Sequence, residues 1–189
     1  IGSNLVKRLA ADGHDTLAVD DFSSASWTNL IDHTGDLLTI DTYSDISTLQ
    51  RFGKFDVIFH EASITDTTVM DQKKMLTNNV ESFRNILDWA AESCARVVWA
   101  SSCSIYGQGE VPMKETQPPQ PLNVYAFSKL QMEKLAKIYQ PRLKHPIVGL
   151  RYSNVYGPGE AHKGKFASMI HQLAKQMRAG GRPKVFEHG

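Results

Sequence analysis

Two stretches, residues 55–63 (FDVIFHEAS) and 95–102 (ARVVWASS), are almost unbroken in apolar residues. Between them, over residues 71–93, Leu76, Val80, Phe83, Leu87 and Ala90 recur at helical spacing. Strands without polar alternation are buried on both faces, and two strands joined through a helix run parallel. This combination excludes an all-helical bundle and an antiparallel sandwich, and predicts an α/β fold with a largely parallel sheet. The alternation continues in both directions. A helix over 3–12, strands over 15–21 and 36–40 and a helix near 44–52 precede it. A helix over 124–139, a strand over 146–156 and a helix over 165–179 follow.

The composition narrows what such a fold can serve. At 189 residues, 41% hydrophobic and 22% charged, the chain suits one soluble domain. Twenty-one Lys and Arg against twenty Asp and Glu leave +1, so neither nucleic acid nor an anionic membrane is an expected partner. No apolar run approaches the roughly 18–20 residues that span a bilayer. Cys94 and Cys103 flank an apolar strand, and two free thiols suit a reducing, cytoplasmic setting. No Cys/His spacing matches a structural metal site, so no metal is expected. The chain opens in mid-motif without Met and stops in a strand-like run. A longer protein is therefore expected, with the sheet's first strand outside this sequence.

The opening Ile1-Gly2, a helix and then a strand ending at Asp20-Asp21 read as the back half of a dinucleotide-binding βαβ unit. There a glycine turn admits a pyrophosphate to the helix N-terminus, and an acid accepts the ribose hydroxyls. Gly2 would be the last glycine and Asp20 the acid; the plain alternative is a helix stop and a strand-end turn. No Lys or Arg stands between Arg8 and Arg51 to neutralise a 2′-phosphate. With Asp20 and Asp21 in place, NAD is favoured over NADP.

The triplet Asn-Val-Tyr occurs twice, at 123–125 and 154–156. The first opens a helix and the second ends a strand, so they are no internal repeat. Tyr125 and Lys129, four apart, share one helix face. A lysine ammonium one turn away, with the positive ring of an oxidised nicotinamide, would stabilise a phenolate and make the tyrosine a usable base. Ser102, at the carboxyl end of a sheet strand, stands where open α/β folds place reacting ligands. Each feature alone also reads as a surface pair or a turn serine.

Together these stretches resemble the extended short-chain dehydrogenase/reductase family of nucleotide-sugar epimerases and dehydratases. The resemblance rests on IGSNLVKRL, DVIFHEAS, NNVESFRNIL, SSCSIYG, PLNVYAFSK and RYSNVYGPG, which follow that family's motifs in order. It implies a Rossmann-like doubly wound parallel sheet, with residues 1–152 as the dinucleotide-binding domain and 153–189 as the start of a substrate-binding portion. It also implies that Gly2, Asp20, Asp21, His60, Glu61, Ala62, Asn79 and Lys129 serve an NAD or NADP cofactor. Ser102, Tyr125 and Lys129 would form the catalytic triad. A homo-oligomer is the expected assembly and a nucleotide-diphosphate sugar the expected small-molecule partner.

Cys103 and Ser104 stand where sugar dehydratases of the family carry an Asp-Glu pair, which disfavours elimination chemistry. NVYGPGEAHKGKFAS is similar to the heptose 6-epimerase branch, in which the lysine of HKG is a second acid/base facing the tyrosine. That likeness implies the role for Lys163, with Asn154, His162, Ser168 and Phe186 toward substrate and His162 placing the loop rather than acting as base. The chain departs from this branch at Gly159 (usually Arg), Ser153 (usually aromatic) and HEAS (usually HEGA). A UDP-hexose 4-epimerase is the alternative, sharing every catalytic residue except Lys163. A non-enzymatic dinucleotide sensor is a second alternative, and it would have no reason to keep the Tyr/Lys pair.

Overall fold

The computed structural model describes residues 1–93 and 95–185. Cys94 and Phe186 lie outside the described residues. The architecture is α/β, with all strand pairs parallel. Helix α1 (Gly2–Ala11) leads into β1 (Leu17–Val19), which pairs with β2 (Asp36–Leu38). Helix α2 (Ile46–Gln50) then precedes β3 (Val57–His60). Next come α3 (Gln72–Leu76), a wide π turn (Thr77–Glu81) and α4 (Ser82–Ser93), one helical run in place of the single regular helix predicted. Strand β4 (Arg96–Ser102), α5 (Val124–Tyr139), β5 (Val148–Tyr152) and α6 (Met169–Arg178) complete the order. Among the described residues the sheet is in two pieces, β1-β2 and β3-β4-β5.

Alternation decides which residues meet the helices. Val97 and Trp99 of β4 face α4 and α5, where Phe83, Leu87, Ala90 and Met132 close over them. The Trp99 indole lies flat along β5 because position 149 is glycine. A Cβ there would come 2.9 Å from the ring. A second cluster of Leu49, Ile86 and Trp89, with Leu17, Leu38 and Ile58 against it, ties the two sheet pieces together. On the opposite face of the three-stranded piece, Val57, Phe59, Val148 and Leu150 are 37–41% exposed within this part-length chain.

Element ends also differ from the sequence pattern, for local reasons. The predicted strand over 146–156 stops at Tyr152, where its pairing with β4 runs out at Ser102. The predicted helix over 165–179 starts only at Met169. Gly164 takes φ +54 inside a preceding 3₁₀ stretch (Ala161–Phe166), and Ser168 then caps the new helix by accepting from the His171 N–H.

Candidate active site

The carboxyl ends of β3 and β4 and the first turn of α5 converge. Asn123 starts α5: its side-chain oxygen accepts from the Ala126 N–H at 2.8 Å, so the helix begins where Tyr125 must be presented. Lys129 follows on the same face and is 1% exposed. Its ammonium donates to the Ala100 carbonyl at 2.8 Å and to Ser63 Oγ at 2.6 Å, and lies 5.8 Å from the Tyr125 ring centre. Ser102, buried at the end of β4, accepts from the Ser104 N–H.

The electrostatics follow from burial. Loss of water pushes Lys129 down to about 8, with Glu61 opposing. The Tyr125 phenol is held above its ordinary value by burial, with the neighbouring Ser102 hydroxyl pulling the other way. In the chain by itself the phenol is therefore not lowered; the expected lowering required the positive nicotinamide ring as well as Lys129. Lys129 stands off the ring, and its nearest acceptors are Ser63 and Ala100.

His60 is buried against Phe83, ring centres 5.2 Å apart, and burial followed by the Lys129 charge drives its pKa to about 3. It is neutral and 5% exposed, on the core side of the strand. Glu61 is half-buried beside Gly2, where burial raises its pKa, and Ala62 is exposed. Asn79, in the π turn, is fully buried. Its carboxamide clasps the Ile64 N–H and carbonyl and donates to Ser128, so it braces the segments on either side of Lys129.

At the cofactor end, Gly2 opens α1, whose N-terminus carries no acidic residue in its first turn. A Cβ at Gly2 would meet Glu61 Cβ at 3.6 Å, an ordinary contact, so packing within the chain does not itself demand glycine there. Asp20 is half-buried and accepts from the Phe22 N–H with one oxygen, while burial raises its pKa. Asp21 is turned to its own loop, accepting from the N–H and hydroxyl of Ser23.

The second Asn-Val-Tyr lies beyond β5, with Asn154 and Tyr156 exposed. The loop after it is fastened at three points. Asn4 donates to the Pro158 carbonyl and Asn29 to the Gly159 carbonyl, both at 2.9 Å. Glu160 accepts from Gly157 N–H and from the N–H and hydroxyl of Ser168. Ser168 thus serves the loop and the α6 cap. His162 Nδ1 sits 2.9 Å from the Gly159 carbonyl and 3.3 Å from Asn29 Nδ2, within its own loop and its anchor. Lys163 is exposed, on the loop that Asn4 of α1 and Asn29 fasten.

All 189 residues match the NAD dependent epimerase/dehydratase family. The chain belongs to that family. It is 40% identical over 195 aligned residues to the ADP-L-glycero-D-manno-heptose-6-epimerase of Brachyspira hyodysenteriae, covering 99% of this chain and 61% of that protein. The crystal structure of the Helicobacter pylori ADP-L-glycero-D-manno-heptose-6-epimerase superposes with a TM-score of 0.87 at 32% identity. That match covers 95% of this chain and 60% of the other. The UDP-glucuronic acid 4-epimerase of Bacillus cereus, solved with NAD, gives a TM-score of 0.82 at 27% identity, over 98% and 62% of the two chains. This chain thus spans about three-fifths of these relatives.

Within the epimerase/dehydratase frame, the structure adds residues that sequence patterns missed. Ser63 meets Lys129 across 66 positions, and Asn29 meets Gly159 across 130. Glu133, two turns past Tyr125, holds Arg151 of β5 through both carboxylate oxygens and accepts from Ser101. None of these contacts follows a helical or strand period.

Proposed function

We propose that this chain is the cofactor-proximal part of a nucleotide-sugar epimerase acting on ADP-L-glycero-D-manno-heptose at its exocyclic C6. The observation that carries the reading is Tyr125 beside Ser102, with the buried ammonium of Lys129 one helical turn away. The two heptose-epimerase relatives support the sugar. The substrate-binding portion is assigned from residue 153 onward, and a homo-oligomer in the cytoplasm is the proposed setting.

The residues present fit a dinucleotide. Helix α1 carries no acidic residue in its own first turn, and among the described residues Asp20 keeps one oxygen unengaged and Glu61 Oε2, beside Gly2, is buried without a partner. Gly2, Asp20, Glu61, Ala62 and Lys129 would hold it, and with no basic side chain among the described residues bonded to Asp20 or Asp21, NAD is the proposed form. When bound, it supplies the acceptor and donor of a hydride.

The chain's own residues manage protons. Ser102 would bond the substrate hydroxyl and orient it toward Tyr125, which removes its proton. Lys129 places positive charge beside the resulting phenolate. The carbon oxidised lies outside the sugar ring, so the ketone can turn and present its other face. Lys163, on the loop past Asn154, would exchange the proton on that side, while Asn154 and His162 hold substrate and loop.

Lys163→Ala in the full-length protein tests the two-base reading. Epimerisation of the ADP-heptose is expected to fall on the order of 10²–10⁴-fold, the range of a lost general acid/base. Near-normal turnover, or preference for UDP-galactose over the ADP-heptose, would instead favour a UDP-hexose 4-epimerase.

A further inference from the structure

Lys129 holds its charge in a place that disfavours charge. Its ammonium has two protein acceptors, the Ala100 carbonyl on β4 and the Ser63 hydroxyl on the segment after β3. The carbonyl is fixed by the sheet. The hydroxyl belongs to a residue that no sheet pairing constrains, and at 2.6 Å its bond is the shorter of the two. The charged and titratable groups around the ammonium are Glu61 and His60 at the end of β3 and Tyr125 on α5 itself. His60 is neutral, and Glu61 bears its own burial penalty. Among the described residues, strand β4 and the π turn bring neutral groups here, the Ala100 carbonyl and Asn79, which bonds Ser128 beside Lys129.

We infer that Ser63 is a positioning residue for Lys129. By accepting from the ammonium, it keeps that side chain charged and fixes its reach beneath Tyr125, and so sets the alkaline limit of the proposed proton chemistry. The inference rests on the catalytic reading of Tyr125 and Lys129. Two of the three ammonium hydrogens are committed to Ala100 and Ser63, which leaves one for a ligand. Burial holds the ammonium at about 8, with Glu61 opposing. Removing an acceptor for the charged form lowers the pKa further, so the lysine would lose its proton at a lower pH.

The test is the pH profile of kcat/KM in the full-length enzyme. Ser63→Ala is expected to move the alkaline limb down by about one pH unit, the scale of one charge-assisted hydrogen bond. KM for the sugar should stay unchanged, and Ser63→Thr, which keeps the hydroxyl, should restore the limb. Ultraviolet titration of the tyrosinate gives a second readout, since weaker cationic support should raise the pH at which Tyr125 ionises. Lys129→Met separates the two levels. An active Lys129→Met enzyme overturns the parent reading. An inactive one, beside a Ser63→Ala profile that matches wild type, overturns the role of Ser63 alone.

Discussion

At the residue scale, His60 makes burial measurable. Its imidazole is neutral in the folded chain down to about pH 3, whereas in the unfolded chain it ionises near 6.5. Between those values the unfolded state binds the extra proton, so stability is lost as pH falls through that window. One such group contributes a slope of at most about 1.4 kcal/mol per pH unit. Urea unfolding midpoints from neutral to acid pH should show that loss, and His60→Leu should flatten it. Asp20 and Glu61, whose pKa values burial raises, act in the opposite sense, so the difference between variant and wild type isolates the histidine. Sequence patterns made Tyr125, Lys129 and Ser102 legible because each sits at the mouth of its element. The burial of His60 was not legible, because a strand of four residues does not announce which face its last member takes.

Elements show the same division. Helix α5 was legible to the residue, Val124–Tyr139, because three prolines delay it and Asn123 caps it. Replacing that cap by alanine should cost about 1 kcal/mol in thermal or urea unfolding, and Asn123→Asp should recover most of it. Because the capped turn carries Tyr125, Asn123→Ala should also lower turnover more than substrate affinity. The π turn at Thr77–Glu81 was not legible, since Leu76, Val80, Phe83 and Leu87 fit an ordinary helix nearly as well. The wide turn is what seats Asn79 against Ile64 and Ser128, and only tertiary contacts select it.

For the molecule as a whole, the two sheet pieces differ in how they are held. Strand β4 is flanked by β3 and β5 and covered by α4 and α5, whereas β1 and β2 share three paired positions. Two short strands are marginal alone, so their order depends on the cluster of Leu49, Ile86 and Trp89. Native-state hydrogen exchange should therefore find β4 most protected and β1-β2 opening at lower free energy. Trp89→Ala should widen that gap, by roughly the 3–5 kcal/mol of a buried aromatic truncation shared between local and global opening. Equal protection of the two pieces would contradict this partition. The parallel α/β plan was visible from the apolar runs.

The clasp among Ser101, Glu133 and Arg151 has a bearing on how the chain avoids error. Adjacent serines on a strand point to opposite sides, so a slip of one residue in β4 changes what faces Glu133 and what stands beside Tyr125. A slip one way sets Ala100 opposite Glu133, which loses the serine donor, and a slip the other way sets Cys103 where Ser102 stood beside Tyr125. The first error is penalised in stability before any substrate arrives, so in that direction the clasp serves as a proofreading contact for the register on which the site depends.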